Sequence, residues 1–345
     1  MSYPRVTVAV CFYGFKPQCD GCLESLLGLL WGDLEILLVD DGSPDDTRSR
    51  LDAFRDAHPE CVIRVIGHDR NRGLSAARNT AAAAACGELI FFTSSDCKPD
   101  PDWVRRLAPC FDDPGVAAAS GLTVDHSPRT LAEEAFTGST RILPGGLQTR
   151  ALVGNNMAFR RSVLLECPFD TAMTYYADED EIAWRLSSTG RSIAFSPDAV
   201  VRHDHPMTLR QYLRQARHQG QGSARLWYKQ GRFVGRDILP VTLALLTLPF
   251  GLVSPWLLLV PAFFALSQLA ALVYNQYALK CKWLATSLKV LPIEVAYYAY
   301  KTTSVYLTLG RILLGYERAI RESKRKWWAS QGASAPRSGQ PGGGS

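Results

Sequence analysis

The order of apolar and polar positions in the first part of the chain predicts strands and helices in alternation. Near-continuous apolar runs, typical of strands buried on both faces of a sheet, occupy residues 5–12, 34–39, 61–66 and 88–92. Apolar positions at helical spacing predict a helix after each of the first three runs. Strands and helices in this order predict a doubly wound or related α/β fold.

Two of the predicted strands end abruptly in acids. The second ends at Asp40, and the fourth is followed by small polar residues and Asp96. Because ligands of open α/β sheets bind at the carboxyl ends of strands, an acid in this position predicts a metal-assisted phosphate site. The simpler explanation is that Asp96 only begins the turn before Pro99.

Arg78 lies near the start of the third predicted helix. Exposed amides at a helix start, together with an arginine, suit a diphosphate. The alternative is a solvent-facing arginine on an ordinary alanine-rich helix.

The pattern is less regular after residue 116. Further strands are predicted at 116–124 and around Asn155 and Asn156, and two short strand pieces on either side of Pro197. The intervening segment 125–148 is poor in apolar residues and is predicted to be a loop over the site.

Four successive acids open a predicted helix at residue 178. The helix dipole stabilises acids there, which could alone explain them, whereas the functional alternative is that one of them is a general base. Further on, alternation along a strand places His203 and His205 on the same side. Neutral imidazole is a common metal ligand, although surface histidines are the simpler explanation.

Three ordered segments resemble family 2 glycosyltransferases, which have the GT-A fold. The segments are Val-Asp-Asp-Gly-Ser at 39–43, Asn-Arg-Gly-Leu-Ser-Ala-Ala-Arg-Asn at 71–79 and Asp-Cys-Lys-Pro-Asp-Pro-Asp-Trp at 96–103. The resemblance extends over about residues 6–226. It implies a nucleotide-diphospho-sugar donor, a divalent cation (Mg²⁺ or Mn²⁺) and inversion at the anomeric carbon.

The same resemblance implies roles on the donor side. Asp40 falls at the position that contacts the base, Arg78 falls near the nucleotide, and Asp96 is the second acid of the metal-binding Asp-x-Asp motif. His203 or His205 resembles the further metal contact of the family.

On the acceptor side, the resemblance places Asn155, Asn156 and Trp184 in the sugar pocket, the alternative for the asparagines being a simple turn. The family commonly has Gly-Glu-Asp where this chain has Ala-Asp-Glu at 177–179, so Asp178 or Glu179 is the expected base.

Ser94 departs from the family pattern because it replaces the first acid of the motif. Its hydroxyl can bind a ribose but brings no charge, so one carboxylate, the diphosphate and water would hold the metal. This departure, with the swapped acids, motivates the alternative of a nucleotide-sugar-binding protein without turnover. A second alternative is a polyprenyl-phosphate glycosyltransferase, in which an ionised phosphate attacks.

The segment 238–274 is almost wholly apolar and is long enough for two short membrane passes. Positive residues on both sides predict a hairpin with both ends in the cytoplasm. Residues 283–314 predict an interfacial amphipathic helix, and the basic cluster up to Lys326 suits anionic lipids. The predicted division is a GT-A catalytic domain at 1–235, a hairpin at 236–282, an interfacial and basic helical region at 283–330 and a disordered tail at 331–345.

Composition limits the partners. The chain has 345 residues, 47% of them hydrophobic, and a formal net charge of +5, too small to indicate nucleic acid. The first residues do not show the basic region and apolar core of a signal peptide. The catalytic part is therefore expected to face the cytoplasm, at the cell inner membrane or another cytoplasm-facing membrane. Together these features predict transfer of one sugar, from a UDP-linked donor, to a lipid or lipid-linked glycan.

Overall fold

The computed structural model describes residues 4–136, 152–173, 176–205, 207–232, 238–274 and 284–331. The strands are β1 (Val6–Phe12), β2 (Leu34–Asp40), β3 (Ile63–Gly67), β4 (Leu89–Ser94), β5 (Cys97–Pro99), β6 (Val116–Asp125), β7 (Asn156–Arg160) and β8 (Ser192–His203). The helices are α1 (Gln18–Leu27), α2 (Thr47–Ala57), α3 (Leu74–Ala84), α4 (Trp103–Leu107), α5 (Leu131–Phe136), α6 (Arg161–Glu166), α7 (Asp178–Ser188), α8 (Leu209–Gln230), α9 (Leu239–Thr247), α10 (Leu259–Tyr274), α11 (Leu284–Leu313) and α12 (Arg318–Ser330).

All eight strands form one sheet in the order β3-β2-β1-β4-β7-β6-β8-β5. β1 to β4 are parallel, as the alternation of strands and helices predicts, whereas β7 runs antiparallel to both β4 and β6. The parallel pairing brings the carboxyl ends of β1, β2 and β4 to one edge. Asp40 therefore lies beside the end of β1 on one side, and Ser94 lies on the other.

The predicted break at Pro197 is wrong, because β8 is one continuous strand through this residue. Its pairing with β6 instead shifts register between Gly121 and Leu122, which pair with Ser196 and Val200. The residues left unpaired form a bulge, in which a proline costs no ladder hydrogen bond.

Alternating residues of the central strands fill two apolar layers. Val8 and Val10 point into the layer that contains α1 and Trp103, and Ala9 points into the layer that contains α3 and Phe92. Each fully buried valine, leucine or phenylalanine contributes about 1.5–3 kcal/mol, so these layers hold the strand ends in place.

α11 packs along α8 and so joins the C-terminal region to the sheet domain. At the crossing, a Cβ on Gly220 would lie 2.4 Å from the backbone oxygen of Lys301, so only glycine permits this approach. Nearby, the buried hydroxyl of Tyr212 donates to Glu294 at 2.6 Å. One face of the predicted interfacial helix is therefore docked on the catalytic domain.

Among the described residues, one helical stretch, Pro255–Tyr274, has the length and composition to cross a membrane. Its mean hydropathy is 2.1, and only 17% of its most apolar part is buried within the protein. The apolar helix before it, Leu239–Leu252, is shorter. Large apolar side chains are exposed here, with Leu252 at 92% and Trp256 at 79%.

The hairpin and its orientation stay predictions, since three of the charged flanking residues, Arg236, Lys280 and Lys282, lie outside the described residues, as does the tail after Gln331. The predicted loop at 125–148 is described only in its first half, to residue 136, and there it contains the helix α5.

Candidate active site

Asp96, His203 and His205 form a cluster whose ligand atoms all lie within 4.8 Å of one another. Antiparallel pairing of β5 with β8 places His203 opposite Cys97, directly after Asp96. His205 Nδ1 lies 2.9 Å from Asp96 Oδ2, and the two imidazoles stack with their centroids 5.1 Å apart. The three predicted metal residues are thus brought together.

Asp125 is a residue of this site that the sequence analysis missed. Register places it beside His203, whose Nδ1 lies 3.0 Å from Asp125 Oδ1. A carboxylate on one ring nitrogen fixes the tautomer and directs the other nitrogen towards a metal. The signal available in the sequence was an acid at the end of the strand that pairs with the histidine strand.

The charges of this cluster support one another. Burial alone would raise the pKa of Asp96, but hydrogen bonds from His203 and His205 outweigh it and lower the pKa below the usual range. Burial alone would lower the pKa of His203. Its bonds to Asp125 and Asp96 have the larger, opposite effect and raise the pKa to about 9. The cluster therefore keeps an ionised carboxylate available, and a metal at His203 would replace a proton.

The donor set decides which metal fits. Carboxylate and imidazole ligands together suit Mn²⁺, whereas Mg²⁺ prefers oxygen ligands in octahedral geometry. One carboxylate and two imidazoles fit a divalent ion that takes its remaining ligands from a diphosphate and water. The imidazoles of this donor set are more usual ligands of Mn²⁺ than of Mg²⁺, and the identity of the metal stays a prediction.

Asp40 and Asp41 lie at the end of β2 but face different partners. Asp40 accepts from the backbone amide of Ser43 at 3.1 Å and from its hydroxyl at 2.5 Å. Asp41 accepts from the amides of Arg72 and Gly73 at 2.9 and 2.8 Å, so it fastens the 71–79 loop to the strand. The contact of Asp40 with the nucleotide base stays a prediction. Asp41 has a structural role that the sequence motif alone did not indicate.

Arg78 is buried and bonded within the protein. Its Nη1 lies 2.5 Å from Asp178 Oδ2, its Nη2 donates to the backbone oxygen of Gly154 at 2.7 Å, and its guanidinium lies over the ring of Phe169. The side chains of Arg78 and Asp178 are only 5% and 6% exposed. Arg78 thus positions Asp178, and its direct contact with a nucleotide stays a prediction.

Glu179, unlike Asp178 and Glu181, has no ion pair with an arginine among the described residues. Burial, and then the neighbouring carboxylates of Asp178 and Asp180, raise its pKa well above the usual range, while Arg78 lowers it. A raised pKa brings a carboxylate closer to the working pH of a general base. Which of Asp178 and Glu179 is the base stays a prediction, and the pairing of Asp178 with Arg78 is a reason to try Glu179 first.

The pKa of Tyr176 is influenced by carboxylates of both the acid helix and the metal cluster. Burial raises its pKa, hydrogen bonds from Gln215 and Gln219 of α8 oppose the shift, and the carboxylates of Glu179 and Asp96 add to it. Geometry places the two groups near each other: a Cβ on Gly154 would lie 3.3 Å from the carboxylate of Glu179, and the next residue, Asn155, donates to Cys97, which follows Asp96.

Ala177, immediately before these acids, has a left-handed backbone with φ 65° and ψ 20°. It is the one non-glycine residue with positive φ among the described residues. This conformation costs a residue with a Cβ roughly 1–2 kcal/mol, and such strain persists only where surrounding contacts enforce it.

The acceptor-side prediction for Asn156 is corrected, whereas the one for Trp184 stays a prediction. Asn156 is fully buried, accepts from Trp103 Nε1 and donates to the backbone oxygens of Leu122 and Ala199, so its amide braces three strands and does not line a pocket. Trp184 packs against Trp327 of α12, with ring centroids 5.2 Å apart, and so faces the C-terminal helix.

Asn155 and Ser94 remain at the strand ends. Asn155 accepts from Thr123 at 2.9 Å and donates to Cys97 at 3.4 Å, which holds the residues flanking the metal cluster. Ser94 is half-buried at the end of β4. Their contacts with sugar or ribose stay predictions.

A cavity of about 1020 Å³ lies elsewhere, at the amino ends of the parallel strands, and is lined by residues such as Trp31, Glu88 and Arg160. It contains none of the acids described above. Ligands of α/β sheets bind at the opposite edge, where the metal cluster lies.

Comparisons with known proteins agree with this architecture. The family models "Glycosyl transferase family 2" and "Glycosyl transferase family group 2" match residues 7–167 and 89–298. A mannosyltransferase from Pyrobaculum calidifontis, solved with GDP-Man and Mn²⁺, superposes on this chain with a TM-score of 0.60 at 24% sequence identity. The superposition covers 89% of this chain and 88% of the mannosyltransferase chain. The fold is GT-A.

Two curated relatives are also similar. The pre-mycofactocin glycosyltransferase of Mycobacterium tuberculosis is 30% identical over 52% of this chain, and the chain spans only 39% of that relative's length. The glucosyl-dolichyl phosphate glucuronosyltransferase of Haloferax volcanii is 27% identical over 58% of this chain and 69% of its own length. With family models covering more than half of its residues, this chain belongs to family 2 of the glycosyltransferases.

Proposed function

We propose that this chain is an inverting, metal-dependent glycosyltransferase that moves one sugar from a nucleotide-diphospho-sugar to a hydroxyl of a lipid or lipid-linked glycan. The observation that carries the proposal is the cluster of Asp96, His203 and His205, near which Glu179 lies against Gly154, the residue before Asn155. A site for a divalent ion and a carboxylate that can act as a base would assist the two halves of a displacement at the anomeric carbon, departure of the diphosphate and attack of the hydroxyl.

In this mechanism Glu179 takes the proton of the acceptor hydroxyl while the hydroxyl oxygen forms a bond to the anomeric carbon. The bond from that carbon to the diphosphate oxygen breaks on the opposite face, so one displacement inverts the configuration. A divalent ion held by Asp96, His203 and His205 would neutralise the leaving diphosphate. Arg78 fixes Asp178 and thereby the start of α7.

The membrane assignment rests on the apolar stretch Pro255–Tyr274 and on the basic residues of α12. One relative is named for a dolichyl phosphate-linked acceptor, which favours a lipid-linked acceptor here. We place the catalytic domain on the cytoplasmic side, where anionic lipids attract basic segments.

The donor can be identified by thermal unfolding of the purified chain with UDP, GDP or dTDP, each with Mn²⁺, Mg²⁺ or EDTA. We expect one nucleotide, UDP in our proposal, to raise the Tm only when metal is present, Mn²⁺ having the larger effect. The matching nucleotide sugars are then tested for transfer, with the anomeric configuration of the product read by NMR. Retention of configuration, or equal binding with EDTA, would contradict the proposal.

The acceptor class follows from a second assay. Transfer to a hydroxyl acceptor that depends on Glu179 supports the proposal, whereas transfer to polyprenyl phosphate that persists in Glu179→Gln identifies a phosphate acceptor. Metal-dependent binding without transfer or donor hydrolysis would identify a nucleotide-sugar-binding protein.

A further inference from the structure

α12 has two opposite faces with different chemistry. Four residues at helical spacing, Ile320, Ser323, Lys324 and Trp327, face the protein, because positions three and four apart lie on the same side of a helix. The basic side chains on the other side are exposed: Arg318, Arg321, Arg325 and Lys326.

The docked face reaches α7 directly. Trp327 packs on Trp184 of α7, and Trp328 Nε1 donates to the backbone oxygen of Lys229 at 3.0 Å. Lys229 in turn binds the buried carboxylate of Glu181, also on α7, at 2.5 Å. α12 is thus tied to the helix that begins with the catalytic acids.

The docked face also closes the apolar cluster around Ala177. Ile320 is 1% exposed and belongs to the same buried cluster as Ala177, Met173, Leu226 and Ile312. On the same side, Ser323 donates to Asp170 at 2.5 Å, three residues before Met173. The strained residue ahead of Asp178 is therefore enclosed in part by α12.

From these contacts we infer that α12 is a positioning element: its docked face holds Ala177 and the acids that follow it, and an anionic bilayer is the partner of its basic face. The inference rests on the proposed function. Charge complementarity selects the partner, because Glu322 is the only exposed acid among the described residues of α12, beside four exposed cations. Binding of the basic face to a bilayer strengthens docking of the opposite face, which positions Glu179 and so raises the kcat of the enzyme.

The membrane half is tested with the full chain on vesicles of phosphatidylcholine alone or mixed equally with phosphatidylglycerol. We expect the anionic vesicles to bind more protein and to raise kcat on the order of tenfold, since small misplacements of catalytic groups are costly. The triple variant R321Q/R325Q/K326Q should lose both effects. The matched control R50Q/R105Q/R106Q, which removes three exposed cations elsewhere, should keep them.

The coupling half is tested by a double-mutant cycle. Ile320→Ala should lower kcat on the order of tenfold while leaving the KM for the donor and Mn²⁺-dependent nucleotide binding nearly unchanged. Ala177→Gly removes the strain at φ 65°, so it should restore most of the kcat of Ile320→Ala. Equal kcat of Ile320→Ala and wild type, or no rescue by glycine, would overturn the coupling.

Hydrogen exchange provides a readout that does not depend on the reaction. Anionic vesicles should slow exchange of the amides at 176–182 in the wild type but not in the triple variant. If the wild type transfers no sugar at all, the proposed function fails, and this exchange result still decides the role of α12. Unchanged exchange, or equal protection by inorganic phosphate without vesicles, would overturn the bilayer as partner.

Discussion

The metal cluster and the acid helix lie in one site but are held in different ways. Asp96 and His203 are fixed by strand pairing, with β5 against β8 and β8 against β6. Asp178 and Glu179 begin helix α7, directly after the strained backbone of Ala177. α7 is held by the ion pair of Asp178 with Arg78 and by the packing of Trp184 on α12.

This difference predicts different responses to change. A ladder of backbone hydrogen bonds holds the strands whichever side chain is lost, so variants at the metal cluster should act mainly on affinity for metal and nucleotide. The acid helix depends on buried charges, so variants there should alter turnover or stability. Each prediction below challenges this division.

The largest effect is expected at Glu179. Glu179→Gln should lower kcat on the order of 10²–10⁴-fold with donor affinity kept, because a general base is lost. In the wild type, kcat/KM should rise with pH as Glu179 ionises, and this rise should vanish in the variant. Steady-state kinetics over a pH series measures both, and a variant with wild-type turnover would exclude Glu179.

Asp178→Asn should instead act on stability. It leaves Arg78 buried without its counter-charge, which costs about 3–5 kcal/mol of unfolding free energy when a buried pair is broken. Denaturant unfolding measures this loss. If Asp178→Asn were stable and inactive while Glu179→Gln were unstable and active, the two roles would be reversed.

Asp96→Asn should remove metal-dependent nucleotide binding. A metal on a leaving phosphate contributes several kcal/mol, so turnover should fall on the order of 10²-fold or more. The Tm without ligand should also fall, because asparagine cannot replace the charge that pairs with His203 and His205. Calorimetry with UDP or GDP in Mn²⁺ and in EDTA is the measurement. Asp100→Asn, which breaks an exposed pair with Arg202, is the matched control and should bind normally.

The donor edge was predictable because its signals are contiguous in sequence. An apolar run followed by an acid marks the end of a strand, and parallel pairing then brings such ends together, as for Asp40 and Ser94. The α/β class and the clustering of Asp96 with the two histidines followed from the same patterns and from the resemblance.

The acid helix was only partly predictable because its partners are distant in sequence. The partner of Arg78 lies 100 residues away, so its pairing with Asp178 has no local signal. Whether an amide faces core or pocket depends on tertiary contacts, which is why Asn156 was assigned wrongly. Ala177 gives no hint of a left-handed backbone, since alanine favours the opposite region.

Asp125→Asn tests how far the metal cluster extends. Losing the carboxylate that orients a ligating histidine typically weakens metal affinity by about 10–100-fold. We expect this loss in Mn²⁺ titrations, with Asp96 and His205 still binding weakly. An unchanged affinity would show that His203 is not a ligand, and the cluster would reduce to two residues.

The smallest effect is expected from Ser94→Asp, which restores the acid that the family pattern has at this position. A second carboxylate near the metal attracts it, but placing that charge in a half-buried site beside Asp96 costs part of the gain. We therefore expect Mn²⁺ affinity to rise only about fivefold, or roughly 1 kcal/mol. Ser94→Asn has the same size without the charge and should leave the affinity unchanged. Equal tightening in both variants would mean that the gain comes from shape, and no tightening in either would mean that the end of β4 does not face the metal.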